Sequence, residues 1–107
     1  MKISVLTVTH NRPEFIPWLL WNYERQRWTN KELIVVDSSE RPATIARPGI
    51  TVIHAPGANV PAKRNIALQA ATGDAITWLD DDDWRHPDSL KIMAVGLDAE
   101  TAVSGGR

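Results

Sequence analysis

The sequence of 107 residues contains no cysteine, which excludes disulfide bonds and metal sites built from thiolates. It has no apolar run approaching the roughly 20 residues that a transmembrane helix needs. Its first residues, Met1 to Val8, are too short and too strand-like for a signal peptide. The formal net charge is -1, so the charge balance gives no sign of nucleic-acid binding. We therefore expect one soluble, cytoplasmic domain.

Several common site motifs are also missing. The sequence lacks the Gly-x-x-x-x-Gly-Lys loop of nucleoside triphosphatases. Its acidic run lacks the glycine and the distal glutamate of an EF-hand loop. The three histidines, His10, His54 and His86, show no spacing typical of a metal site, so we expect ordinary polar or loop roles for them.

Apolar segments rich in β-branched residues alternate with segments of helical periodicity. They predict strands over residues 3–9, 33–37, 50–54 and 75–79, and helices over 13–26, 60–71 and from 87 onward. Residues 38–49 hold two prolines and predict a loop, while residues 101–107 look like the start of another strand. Strands that alternate with helices indicate a mostly parallel sheet, so we expect a three-layer α/β/α sandwich.

The strongest signal is the run Asp80-Asp81-Asp82-Asp83, which directly follows the predicted strand 75–79. Two unit charges about 4 Å apart repel by roughly 4 kcal/mol at an effective dielectric of about 20. Four carboxylates at the end of a buried strand are therefore costly unless a cation lies among them. Mg2+ and Mn2+ take such oxygens and share them with substrate phosphates. A solvated acidic turn is the alternative interpretation.

Polar groups follow three of the predicted strands: Thr9 to Arg12, Asp37-Ser38, and the aspartate run. Because ligands bind beyond the carboxyl ends of parallel strands, we expect these groups to share one edge of the sheet. Lys63 and Arg64 fall in the first turn of the predicted helix 60–71, where the helix dipole disfavours cations. A diphosphate would remove that penalty. The alternative is that both side chains simply extend into water. For Arg64 we favour a phosphate or a partner among the aspartates, because its planar guanidinium suits such groups.

Three tryptophans, Trp18, Trp21 and Trp28, are predicted to project from the first helix opposite its core face. That core face is formed by Ile16, Leu19, Leu20 and Tyr23. A helix that is apolar on both sides is usually covered twice. The cover of the Trp18 and Trp21 face could be a further part of the chain, a second subunit in a homodimer, or a membrane surface.

Four segments resemble the family 2 glycosyltransferases, which have the GT-A fold. These segments are Ile3 to Pro13, Leu33 to Ser39, Ala62 to Asp74, and Trp78 to Leu90 with its Asp-x-Asp motif. They come in the order found in the family and cover nearly the whole chain. The resemblance implies a single nucleotide-sugar-binding domain over residues 1–107 that serves an inverting, metal-dependent glycosyltransferase.

The resemblance also implies roles for individual residues. Thr9 would line the nucleoside pocket, Asp37 would hold the base or ribose, and Arg64 would approach the base or diphosphate. Asp80 and Asp81 would reach the ribose or the metal, and Asp82 would be the chief ligand of an Mn2+ or Mg2+ ion. The implied nucleotide-sugar-binding set is Thr9, Asn11, Arg12, Asp37, Ser38, Lys63, Arg64, Asp80 and Asp81, and the metal set is Asp80 and Asp82.

Two departures from the family pattern leave alternatives open. Ser38 stands where members that bind uridine nucleotides often have a second acidic residue, so guanosine or thymidine donors remain possible. The acceptor-binding half and the catalytic base of the family follow the Asp-x-Asp helix, and no residue here matches that base. A non-catalytic nucleotide-sugar-binding module or a truncated fragment is therefore one alternative. A nucleotidyltransferase is another, although it would need a glycine-rich loop after the first strand.

Overall fold

A computed structural model describes residues 1–99. Its strands are β1 (Ile3–Thr9), β2 (Lys31–Asp37), β3 (Ile50–His54) and β4 (Ala75–Trp78). Its helices are a short 3-10 helix (Pro13–Phe15), α1 (Ile16–Glu24), α2 (Val60–Ala70) and α3 (Ser89–Ala99). The strand predicted over residues 101–107 lies outside the described residues. None of the described helices has both the length and the apolar character needed to span a bilayer.

The four strands form one sheet in the order β3-β2-β1-β4, and every pair is parallel. The prediction of a parallel α/β sheet is confirmed. Strand β4 lies on the opposite side of β1 from β2, so the strand order reverses between β1 and β4. In open α/β sheets, ligands bind beyond the carboxyl ends of the strands at such a reversal.

Both faces of the sheet are covered, which confirms the three layers. Alternate residues of a strand point to opposite faces, and β1 and β2 are buried at most positions of both sets. On one face, Ile3 and Val35 pack with Leu19 of α1 and Leu90 of α3. On the other face, Leu6, Ile34 and Val36 pack against Ala67 of α2.

The first helix is shorter than predicted, and this corrects one tryptophan. The α-helical part ends at Glu24, so Trp28 lies beyond it. Trp28 is partly buried against the core, and its Nε1 donates to the carbonyl of Met1 at 3.1 Å. The prediction that Trp28 shares the outer face with Trp18 and Trp21 is therefore wrong. Those two remain exposed, with their rings stacked at a centroid distance of 5.1 Å.

Gly73 lies where the chain approaches β1 too closely for a side chain. A Cβ atom there would be 2.6 Å from Ser4 Oγ and 2.8 Å from the backbone of Lys2 and Ser4. We expect Gly73→Ala to lower the free energy of unfolding by about 1–3 kcal/mol, because this overpacking would displace backbone. Gly96→Ala is the control, since nothing lies within 4 Å of its Cβ position. Urea unfolding that shows no difference between the two variants would contradict this expectation.

Candidate functional site

The aspartate run forms a turn directly beyond β4, at the carboxyl edge of the sheet. The backbone N–H of Leu79 donates to Leu6 at 2.9 Å, and Thr7 Oγ1 donates to the Leu79 carbonyl at 2.7 Å. The N–H of Asp83 then donates back to the Asp80 carbonyl at 3.1 Å, which closes the turn. The prediction that this run follows a strand at the sheet edge is thus confirmed.

Asp81 points inward, toward the end of β1. Its side chain accepts a hydrogen bond of 2.7 Å from Thr9 Oγ1, and the residue is only 4% exposed. Thr9 is the last residue of β1 and pairs in register with Asp37, the last residue of β2. The three strand ends singled out in the sequence therefore meet around Thr9.

Arg12 supplies the positive charge nearest to the aspartates. Its guanidinium contacts Asp81 Oδ1 at 3.2 Å and Asp82 Oδ2 at 3.1 Å, and it lies 4.2 Å from the centre of the Phe15 ring. Arg12 thereby relieves part of the repulsion expected among the carboxylates. The Asp82 side chain nonetheless stays 49% exposed, and Asp80 is exposed as well.

The acidic turn fits a divalent ion only when a ligand completes the site. Among residues 1–99, no three acidic or histidine side chains converge as a ready-made metal centre. Mg2+ commonly binds one or two protein carboxylates and takes its other ligands from water and substrate phosphates. The exposed carboxylates of Asp82 and Asp80 match that arrangement, whereas Asp81 is engaged by Thr9 and Arg12.

Asp37 shapes the loop that follows β2. Its Oδ1 accepts hydrogen bonds from the N–H and hydroxyl of Ser39, and its Oδ2 accepts one of 2.8 Å from the N–H of Ala43. Burial alone would raise the pKa of Asp37, but these three hydrogen bonds outweigh it and hold the pKa below its ordinary value. The carboxylate is therefore ionised in the fold and fastens the loop from Ser39 to Ala43.

This loop and the end of β1 enclose a cavity of about 300 Å³. Four residues predicted for nucleotide binding line it: Thr9, Asn11, Arg12 and Asp37. The sequence interpretation missed the other six: Pro13, Ile16, Ser39, Glu40, Arg41 and Ala43. Their position in the segments after β1 and β2 was the available signal, because those segments leave the sheet at the ligand edge.

Lys63 is buried beneath this edge, with an exposure of 4%. Its Nζ donates to the Thr9 carbonyl at 3.2 Å and to Ser38 Oγ at 2.9 Å. Ser38 Oγ also lies 2.9 Å from His10 Nδ1. The alternative that Lys63 extends into water is therefore wrong. Lys63 forms no ion pair with any of the described residues, so its charge is met there only by neutral oxygens.

Arg64 lies against Trp78, the last residue of β4. Its guanidinium is 4.7 Å from the centre of the Trp78 ring, and within residues 1–99 it pairs with no carboxylate. The predicted aspartate partner of Arg64 is therefore wrong. A phosphate partner for Arg64 stays a prediction.

The hydrogen bonds to Asp37 lead to an expected pH dependence. The pKa of Asp37 is lower in the folded chain than in the unfolded chain, so its ionised carboxylate stabilises the fold. This stabilisation is fully present above the unfolded pKa of about 4 and is lost as the pH falls through the folded pKa. Ser39→Ala removes one of these hydrogen bonds, so it should lower stability by about 1 kcal/mol at neutral pH. Melting temperatures from pH 7 to pH 2.5 should show this deficit narrowing in acid. A constant deficit would contradict the role given to the Asp37 charge.

The sequence and the fold of this chain correspond to a known family. The chain belongs to glycosyl transferase family 2, whose family model matches residues 4–107. This agrees with the resemblance seen in the sequence, and the parallel sheet agrees with the GT-A fold that it implies.

Individual relatives narrow the comparison. The chain is 36% identical to the uncharacterized glycosyltransferase YwdF of Bacillus subtilis over 101 residues, which are 88% of this chain and 37% of that protein. It is 27% identical to the poly(ribitol-phosphate) beta-N-acetylglucosaminyltransferase TarS of Staphylococcus aureus over 109 residues, which are 92% of this chain and 19% of TarS. This chain therefore spans well under half the length of these curated relatives.

Solved structures of TarS share the fold. The crystal structure of TarS residues 1–349 matches 94% of this chain and 33% of its own, with a TM-score of 0.79 and 24% identity. The structure of the same part of TarS in complex with UDP matches 94% of this chain and 33% of its own, with a TM-score of 0.77 and 25% identity.

Proposed function

We propose that this chain is the nucleotide-sugar-binding domain of a glycosyltransferase, which moves a sugar from a nucleoside diphosphate to an acceptor with inversion. The observation that carries the proposal is the convergence of three strand ends beside one cavity. Thr9 bonds Asp81, and Arg12 spans Asp81 and Asp82 while lining that cavity of about 300 Å³. A uridine donor is favoured because a TarS structure of this fold is a complex with UDP.

In this proposal the base and ribose enter the cavity between the end of β1 and the loop from Ser39 to Ala43. The diphosphate lies over the strand ends, where Arg12 and the buried Lys63 supply positive charge. Ser38 and Asn11 border this path, since Ser38 bonds Lys63 and Asn11 lines the cavity. Charge-assisted hydrogen bonds to phosphate are roughly twice as strong as neutral ones.

The exposed carboxylates of Asp82 and Asp80 would hold a divalent cation together with the diphosphate. Such an ion supplies Lewis-acid chemistry, because it offsets the negative charge that builds on the departing nucleoside diphosphate. Asp81 keeps the turn in place through Thr9 and Arg12.

Thermal unfolding of this chain with UDP, GDP, TDP, CDP and ADP, each with and without Mn2+, tests the proposal. A ligand that binds only the folded state stabilises it by about 2.7 kcal/mol when present at 100 times its Kd. We expect UDP with Mn2+ to raise the melting temperature more than UDP or Mn2+ alone. If no nucleotide diphosphate raises it under any condition, the proposed function fails for this chain.

A further inference from the structure

The chain that leaves the aspartate turn is fastened to α1 along its length. Side chains of α1 and of the residues just after it bond the backbone of residues 83–90, most of which has no regular secondary structure. The pairs bonded in this way are Trp18 with Asp83, Asn22 with Asp83 and Arg85, Arg25 with Arg85, and Gln26 with His86 and Leu90. A backbone bond, from the N–H of Arg27 to the carbonyl of Pro87, adds to them. The path of this segment is therefore set by α1.

Asn22 contacts the segment at its point nearest to the acidic turn, the Asp83 carbonyl, which also accepts a bond from Trp18 Nε1. Its Nδ2 donates to the Asp83 carbonyl at 2.8 Å, and its Oδ1 accepts from the N–H of Arg85 at 2.8 Å. The residue is only 1% exposed. An amide can donate and accept at once, so one side chain holds the backbone on both sides of Trp84.

The acidic turn is thus held from two directions. Thr9 and Arg12 hold Asp81 from the side of β1, and Asn22 together with Trp18 holds the Asp83 carbonyl from the side of α1. Asp82 lies between these two attachments, and its own carboxylate has only an exposed contact with Arg12. Side chains that orient the ligands of a metal or anion site matter nearly as much as the ligands themselves.

We propose that Asn22 is a positioning residue that fixes the direction of the Asp82 carboxylate for binding of a nucleoside diphosphate with its divalent cation. The two bonds of Asn22 to the segment are to Asp83 and Arg85, and neither residue lines the cavity of about 300 Å³. Asn22 therefore acts through the backbone of Asp83. This inference rests on the proposed function, because it concerns the same site.

Gln26 is the matched control. It is another buried amide one turn further along, with an exposure of 6%. Its Nε2 donates to the His86 carbonyl at 2.8 Å, and its Oε1 accepts from the N–H of Leu90 at 3.1 Å. It therefore anchors the same segment by the same kind of bonds, but at a greater distance along the chain from Asp82.

The test measures the Kd of UDP with Mn2+ by calorimetry for Asn22→Ala, Gln26→Ala and the unmodified chain, at a temperature where all three are folded. Both variants are expected to lower the melting temperature by similar amounts. Only Asn22→Ala should weaken binding, by roughly 10- to 100-fold, as expected for a partner that orients ligands. If Asn22→Ala does not fold, Asn22→Asp takes its place, because the carboxylate keeps an acceptor for the Arg85 N–H and removes the donor to the Asp83 carbonyl.

The outcomes separate the two claims. Equal affinity of Asn22→Ala and the unmodified chain, or an equal loss in both variants, would overturn the positioning role while leaving the proposed function intact. Absence of UDP binding by the unmodified chain would overturn the proposed function, and the positioning role with it. A loss confined to Asn22→Ala supports the proposal.

Discussion

Replacing Asp82 with alanine is expected to abolish the stabilisation of this chain by a nucleoside diphosphate with Mn2+. The Asp82 side chain lies in the acidic turn and is 49% exposed, although its Oδ2 contacts Arg12. Losing it removes the chief ligand proposed for the cation that binds the diphosphate. The gain of about 2.7 kcal/mol expected at 100 times Kd should therefore vanish.

The fold itself should survive this change. An exposed ion pair such as Asp82 with Arg12 contributes roughly 0–1 kcal/mol, so the melting temperature without ligand should hardly move. Asp83→Ala is the matched control, since it removes a neighbouring carboxylate whose only described bond is to the N–H of Trp84. Retained metal-dependent stabilisation in Asp82→Ala, or its equal loss in Asp83→Ala, would contradict the role given to Asp82.

Replacing Lys63 with methionine is expected to move stability and binding in opposite directions. The buried ammonium is met by the Thr9 carbonyl and Ser38 Oγ, both neutral. Burying a charge without a counter-charge is costly. We therefore expect Lys63→Met to raise the free energy of unfolding by about 1 kcal/mol. Affinity for a nucleoside diphosphate should fall by roughly 30-fold, which is about 2 kcal/mol.

Lys91→Met provides the comparison for this second expectation. Lys91 is an exposed residue of α3, so the substitution makes the same change in net charge without altering the buried edge of the sheet. Urea unfolding and calorimetric titration with UDP and Mn2+ measure the two quantities. A Lys63→Met chain that is less stable and binds UDP normally would show that Lys63 serves only the fold.

Much of the architecture was predictable because it depends on local patterns. In β1 and β2, apolar residues occur in both sets of alternate positions. This pattern is typical of a strand that is covered on both faces of its sheet. Asn59 is a residue type that favours the N-cap position, and its Oδ1 accepts from the N–H of Ala62 at 2.9 Å at the start of α2. Strand direction then followed from the alternation of strands with helices, and strand direction placed the polar groups at one edge.

The site details were less predictable because they depend on how separate loops meet. The contact of Arg12 with Asp81 and Asp82 joins residues about 70 positions apart, and no periodicity encodes it. A lysine in the first turn of a helix is ordinarily solvated, so the burial of Lys63 became visible only in the packed structure. Trp28 was misplaced because the prediction put all three tryptophans on one continuous helix, whereas α1 ends at Glu24.

The most direct test of the central claim is a 15N–1H correlation spectrum of this chain titrated with UDP and Mg2+. The account predicts shifts of the backbone amides that surround the proposed site, namely those of residues 9–12, 38–41, 43 and 80–85. Amides at the opposite edge of the sheet, such as those of Lys31 and Asp74, should stay in place. Shifts confined to that opposite edge, or no shift at saturating UDP, would contradict the assignment of a nucleotide site to the carboxyl ends of β1, β2 and β4.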